Sequence, residues 1–242
     1  MDWVVQRYMF EENEKALSEV LGDRLIWLDW TMSGPIFSRK PDGAYVLYSA
    51  IMAGRRLRSN AKNSNWLYDN VYNCSYYLSK FGNLALNNPH VYVEAGTFSL
   101  LKPFLPETFF IKENNGYKSF TGKVFDKYTE QEVNSMFAEE LLLIAQTRPI
   151  DAEWRFVIKE GKVLTFSLYG EILSDRGNEA LDFANLVLNR IEEVYDPAPM
   201  WTLDVCLTDN EFKVVEVNSL LSSGWYNCDV KKIVESVDEL MK

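Results

Sequence analysis

Two segments late in the chain alternate apolar and polar residues: Leu203-Asp204-Val205 and Val215-Glu216-Val217-Asn218. Alternation with period two predicts strands, and alternate side chains on a strand share a face. Glu216 and Asn218 therefore point one way, Val215 and Val217 the other. Trp201–Leu207 and Phe212–Val217 read together as a β-hairpin. Opposed residues in an antiparallel pair also share a face, so Asp204 joins Glu216 if the connecting turn has an odd length. The simplest such turn is a three-residue loop at 209–211, whereas a two-residue turn would send Asp204 to the opposite face. With the odd turn, two carboxylates and an amide oxygen converge within about 5 Å. Apolar neighbours enclose the pair, and unpaired like charges there would repel. A divalent cation resolves that conflict, and a few hard oxygen ligands suit Mg²⁺, which keeps positions for water and phosphate. The plainer alternative is a half-exposed hairpin whose polar residues face water.

Composition narrows the classes further. The chain has 242 residues and a formal net charge of −10, with charged residues at 25%, enough for one large domain or two small ones and unlike a disordered chain. Residues 1–100 carry ten basic and ten acidic side chains, so the whole −10 lies in residues 101–242. An acidic chain is poorly suited to bulk nucleic-acid binding or to anionic membranes. No signal peptide or bilayer-length apolar run is evident, which leads to the expectation of a soluble, cytoplasmic protein. Cys74, Cys206 and Cys228 form neither a disulfide framework nor a zinc motif. The single histidine, His90, follows Asn87-Asn88-Pro89 and reads as a turn or surface residue, which removes His-rich metal sites and weakens any triad hydrolase.

A coarse reading places strands at Val4–Phe10, Leu25–Trp30 and Thr108–Lys112, with a short helix at Glu14–Leu21. Asn65–Phe81 reads as a longer helix through Leu67, Val71, Cys74 and Leu78, stopped by Gly82. Thr129 with Glu132 suggests a capping box for a helix running to about Ala145. Glu153–Ile158 and Val163–Tyr169 pair around Gly161. Asn178–Tyr195 reads as a helix with Leu181, Ala184, Leu188 and Ile191 on one face, and Val230–Leu240 as a closing helix. Pro103 and Pro106 mark the most plausible break, near residue 105.

Two further clusters carry chemistry. Phe109-Phe110-Ile111-Lys112 ends an apolar strand on a lysine. A Gly-containing turn from Gly116 to Gly122 follows, whose backbone N–H groups suit phosphate oxygens, although the spacing is not that of a P-loop. A plain turn with solvated lysines is the alternative. In Ile150-Asp151-Ala152-Glu153-Trp154-Arg155-Phe156, Glu153 and Arg155 share a strand face, either as surface charges or toward a ligand. Arg55, Arg56 and Arg58 read as a solvated loop or as an anion site.

In this order the clusters resemble the ATP-grasp superfamily of carboxylate–amine ligases over roughly residues 105–230, and Glu153-Trp154-Arg155 with Ser167 and Tyr169 further resembles a poorly characterised bacterial and phage branch of it. Asp204…Glu216-Val217-Asn218 is similar to the superfamily's metal-binding element, followed by a substrate loop, here Ser222-Ser223-Gly224-Trp225-Tyr226. The stretch from Leu142 to Arg155 is similar to its hinge strand. The resemblance implies an α+β ATP-grasp fold: an N-terminal lobe at 1–105, a small lid subdomain at 106–148 and a C-terminal subdomain at 149–242. It implies ATP and Mg²⁺, with Asp204, Glu216 and Asn218 holding the metal. Lys112 would contact phosphates under a loop including Gly116, Lys118, Thr121 and Gly122. Gln146, Thr147 and Arg148 would line the adenine pocket, and Glu153 would take the ribose.

The chain departs from that pattern where Lys112 precedes Glu113 instead of proline, and where Thr202 stands in place of an arginine two residues before Asp204. Arg155 is the candidate replacement and, with Lys112, the expected catalytic pair. Lys80 and Lys102 both loosely match a second phosphate lysine. The implied reaction joins a small-molecule or peptide carboxylate to an amine through an acylphosphate. A phosphotransferase on a related fold and a non-catalytic nucleotide-binding protein are the alternatives.

Overall fold

Trp3, Val4 and Val5 are each 0–1% exposed, as expected for a strand buried on both faces between parallel partners. They belong to β1 (Trp3–Gln6), followed by helix α1 (Glu11–Leu21), strand β2 (Leu25–Thr31), strand β3 (Gly34–Phe37) and strand β4 (Val46–Tyr48). The order is β3-β2-β1-β4, with β1 parallel to both β2 and β4 and β3 an antiparallel edge. The computed structural model describes every residue except 8–10, 32–33, 49–58, 67–69, 116–121 and 170–175. The arginine cluster at 55–58 and the end of the first expected strand lie outside the described residues.

Among the described residues of the expected helix over 65–81, which leave out 67–69, the α-helix is α2 (Cys74–Phe81), preceded by 3₁₀ turns at 64–66 and 70–72. Asn65, Asn70 and Asn73 favour local turns over continuous helix, and the Asn70 carbonyl accepts from the Asn73 N–H at 2.9 Å. Gly82 ends the helix with φ 54°, a conformation open to glycine.

The second sheet contains β5 (His90–Glu94), β6 (Phe110–Glu113), β7 (Lys123–Val124) and β8 (Leu141–Ala145) in the antiparallel order β5-β8-β6-β7. Helices α3 (Phe98–Leu101) and α4 (Lys127–Asn134) lie in its connections. Two expectations change here. The helix begun near Thr129 stops at Asn134 and is capped by Asp126, whose carboxylate accepts from the Tyr128 and Thr129 N–H groups. Leu141–Ala145 is the sheet's central strand, buried from Leu142 onward, because a five-residue apolar run satisfies its backbone between two neighbours. The anticipated break at 105 also does not divide the sheets, since β5 precedes it and pairs with β8.

The third sheet, β10-β9-β11-β12, is wholly antiparallel. It comprises β9 (Ala152–Lys159), β10 (Lys162–Tyr169), β11 (Met200–Thr208) and β12 (Glu211–Ser219), with α5 (Gly177–Ile191) between β10 and β11 and α6 (Val230–Leu240) at the end. One face, bearing Trp154, Phe156, Leu203, Val205 and Val217, packs with the Ala180, Ala184, Val187, Leu188 and Ile191 stripe of α5. Val157, Met200, Leu220 and Trp225 join α1, α6 and the first sheet in another core. The outer edge of β12 meets residues 83–86: Ala85 bridges Val214, the Leu86 N–H donates to the Val214 carbonyl at 2.8 Å, and Lys213 reaches the Asn83 carbonyl. Helices with one mixed and two antiparallel sheets make the class α+β. No helix among the described residues is long and apolar enough to cross a membrane.

Candidate active site

Asp204 occupies the middle of β11, opposite Arg155 on β9 and Glu216 on β12. The register expected for Asp204 and Glu216 is present, but the expected three-residue loop is not. Thr208 pairs with Glu211 around a two-residue turn, Asp209-Asn210, with φ 49° and 63°. Val205 then pairs with Val214 while Asp204 pairs with Glu216, so Val215 is an extra bulged residue. The bulge supplies the one-residue shift that an even turn lacks, returning both carboxylates to one face.

The charges on this face are paired. Arg155 Nε and Nη2 donate to the two Asp204 carboxylate oxygens at 2.8 and 2.5 Å, and Nη1 donates to the Gly224 carbonyl at 2.8 Å. The guanidinium also lies 4.8 Å from the Tyr226 ring centroid. Asp204 is 2% exposed and Arg155 7%, so this bidentate contact is shielded from water and correspondingly strong. Lys112 reaches across from the second sheet and donates to Glu216 Oε2, while Glu216 Oε1 accepts from Asn218 Nδ2 at 2.8 Å. Burial opposes both cations, but Glu216 holds the Lys112 pKa above its ordinary value and Asp204 does the same for Arg155. The unpaired like charges anticipated from the sequence are thus neutralised by side chains from β9 and β6.

Glu153 shares the face with Arg155, two residues away and opposite Cys206 and Tyr169. Burial, and then the negative charges of Asp204 and Glu216, push its carboxyl up to about 8. Thr202, at the position where the superfamily pattern has arginine, is fully buried and bonded to Ser223 and to the Asn218 carbonyl. Gly122 abuts the lysine: a Cβ there would lie 2.7 Å from Phe110 Cζ and 3.3 Å from Lys112 Cβ and Cδ. Only glycine lets the backbone come so close to that stem. Gly116, Lys118 and Thr121 lie outside the described residues.

Along the second sheet, Ala145 pairs with Phe110 and His90, two residues from the Leu143–Lys112 pair and on the same face. Gln146 and Thr147, just beyond Ala145, line a cleft of about 610 Å³ together with His90, Val91, Phe109 and Ile144, and Ile144 faces away from Lys112. Among the described residues, Thr147 Oγ1 is buried with no hydrogen-bond partner, as is the Tyr92 hydroxyl. Arg148 follows, partly buried. Of the loose lysine matches, Lys102 is paired with Glu130 and Lys80 lies over the Tyr76 ring. His90, expected as a turn or surface residue, is partly exposed and begins β5, and its Nδ1 lies 2.8 Å from the Asn87 carbonyl. The alternation in His90-Val91-Tyr92-Val93 is the local sign that it belongs to a strand.

The profile of an ATP-grasp domain, family 2 of the R2-K clade, matches residues 93–236, and the chain belongs to that family. It is therefore an ATP-grasp protein, of a superfamily of ATP-binding ligases. Among solved structures it is similar to the D-alanine–D-alanine ligase of Helicobacter pylori, at 14% identity and a TM-score of 0.58 over 100% of this chain and 98% of that one. D-cycloserine synthetase DcsG matches at 13% identity and 0.63, covering 100% and 99%. The ATP-grasp ligase PsnB, complexed with a minimal precursor, matches at 11% and 0.53, covering 100% and 99%. At these identities the likeness shows the fold, and it extends over the N-terminal lobe that the family profile does not reach. No curated protein matches the chain.

Proposed function

We propose that the protein is an ADP-forming ligase that joins a carboxylate to an amine through an acylphosphate. The observation that carries this reading is the meeting of two sheets at Lys112 and Glu216, with Asp204 directly opposite Glu216 on the neighbouring strand. A cation suited to phosphate and a carboxylate pair are thereby brought together.

The residues fit the groups such a reaction needs. Asp204, Glu216 and the Asn218 amide offer hard oxygens from one face. Two carboxylates and an amide suit Mg²⁺, which takes one or two carboxylates and fills its shell with water and phosphate, although among the described residues no cluster of three or more His, Cys, Asp or Glu side chains is present. The ion would offset phosphate charge. Lys112 would turn from Glu216 to the triphosphate, under the loop that ends at Gly122 and carries Gly116, Lys118 and Thr121. Gln146, Thr147 and Arg148 would hold adenine, with the unpartnered Thr147 hydroxyl available to it. Glu153, protonated near neutrality, would donate to a ribose oxygen.

With no covalent nucleophile assigned, rate acceleration would come from positioning and charge stabilisation. The substrate carboxylate would attack the γ-phosphorus, and Arg155 would stabilise the charge that develops there. The amine would then displace phosphate. Small-molecule or peptide substrates fit this scheme.

A non-catalytic nucleotide-binding role draws on a different observation: Arg155 already occupies both Asp204 oxygens. A screen of ADP and phosphate release from Mg-ATP, against carboxylates and amines singly and in pairs, separates the readings. Release that requires both partners supports the ligase. Phosphate retained on a product would indicate a phosphotransferase, and binding without turnover would indicate the non-catalytic role.

A further inference from the structure

Asn13 stands at a position where α1 would ordinarily carry an apolar residue. Asn13, Leu17 and Leu21 are spaced by four, share one helix face, and are 1%, 0% and 3% exposed. A buried amide at a core position is costly unless its hydrogen bonds are made. Both ends are used: Asn13 Oδ1 accepts from the Trp225 N–H at 3.0 Å, and Nδ2 donates to the Tyr226 carbonyl at 2.8 Å. The asparagine thus binds the N–H of one residue and the carbonyl of the next, more than 200 residues away.

The rest of the N-terminal lobe holds the same loop. Tyr48 stacks on Trp225 with centroids 4.2 Å apart and donates its hydroxyl to the Ser223 carbonyl at 3.0 Å. The Trp66 carbonyl accepts from Ser219 Oγ at 2.6 Å. Tyr226 is held at φ 49°, where a bulky residue needs outside support. What the loop carries gives these contacts their meaning: the Gly224 carbonyl and the Tyr226 ring both contact the Arg155 guanidinium, which binds Asp204.

We propose that Asn13 is a positioning residue, which locks the 219–226 loop so that Gly224 and Tyr226 orient Arg155 on Asp204. The N-terminal lobe is then part of the site's geometry, although it lies outside the segment that matches the family. The geometric role of Asn13 stands on the contacts above; its importance for turnover rests on the proposed ligase reading.

The test uses the full-length protein and two variants. N13L supplies the apolar residue that the spacing asks for and removes both hydrogen bonds. N13D keeps the acceptor for Trp225 and loses the donor to Tyr226. Hydrogen exchange is followed at amides 224–226 and at 17–21, and the Arg155 Nε–H resonance, assigned with R155K, is followed by NMR. In N13L the 224–226 amides should exchange about tenfold faster and the Arg155 resonance should move, while 17–21 stay protected. In N13D the Trp225 amide should stay protected while the Arg155 resonance still moves. An unmoved Arg155 resonance in both variants overturns the proposal. So does equal loss of protection at 17–21 and 224–226 in N13L, which would mark a merely structural residue. Mg-ATP binding by wild-type protein is measured separately by calorimetry, so a failure of the ligase reading is distinguishable from a failure of the clamp.

Discussion

Arg155 and Asp204 oppose each other across β9 and β11, joined by two hydrogen bonds of 2.8 and 2.5 Å in almost complete burial. Removing one partner strands a charge in low dielectric, whereas replacing both removes the charge altogether. Arg155→Met should therefore cost about 3–5 kcal/mol in urea unfolding. The double variant Arg155→Met/Asp204→Leu should recover most of that loss, and a double variant no more stable than the single one would contradict the account.

Lys112 is less committed to the folded state, because Glu216 retains contact with water at 18% side-chain exposure. Lys112→Met should lower Tm little but weaken Mg-ATP binding. A lost charge-assisted contact corresponds to about 1.5–3 kcal/mol, or roughly 10- to 100-fold in Kd. Calorimetry with Mg-ATP reads this directly, and unchanged affinity would remove Lys112 from the phosphate site.

Glu153 gives the protein a pH signature. Its folded pKa is raised from 4.5 to about 8, so the folded state holds a proton that the unfolded state has released across that interval. The stability associated with the neutral form is full below about 4.5 and is lost as pH rises through about 8. Glu153→Gln keeps a neutral side chain at every pH. The gap in Tm between this variant and wild type should widen in the variant's favour from pH 5 to pH 8, and a constant gap would count against the shift.

The Asp209-Asn210 turn has positive φ at both central residues, 49° and 63°. That conformation prefers Asn-Gly. Asp209→Asn/Asn210→Gly should stabilise the hairpin by about 0.5–1 kcal/mol, the scale of relieving glycine-type backbone strain elsewhere. Urea midpoints measure it, and the Asp204–Glu216 register should survive because Val215 sets it.

Much of the fold is legible locally. Period-two alternation locates β11 and β12, the paired runs around Gly161 locate β9 and β10, and the closing helix spans Val230–Leu240 as read. Parity points to the Asp204–Glu216 pairing, but through the wrong device, since a bulge leaves no mark in an alternation as short as Val214-Val215-Glu216. The overextended helices fail for different reasons: asparagines break the one before Cys74, and burial between two strands turns Leu141–Ala145 into β8. The charge partners are the least legible part of the site. Arg155 meets Asp204 because of a register across 49 residues, and Lys112 meets Glu216 because two sheets approach across 104. Neither distance is written in local pattern. Asn13 leaves one sign, a polar residue in step with Leu17 and Leu21, which is easily overlooked in an acidic helix.

The contact of residues 83–86 with β12 has a consequence for how the molecule behaves at high concentration. The strand bearing Glu216 is the last in its sheet, and an open edge of that kind invites a second chain to add a strand of its own. The Leu86 N–H takes the Val214 carbonyl, Ala85 lies in register with Val214, and Lys213, beside them, places a charge at the same point. The segment that leads into the second sheet therefore also protects the third against self-association, and changes at 83–86 would be felt in solubility before they were felt in chemistry.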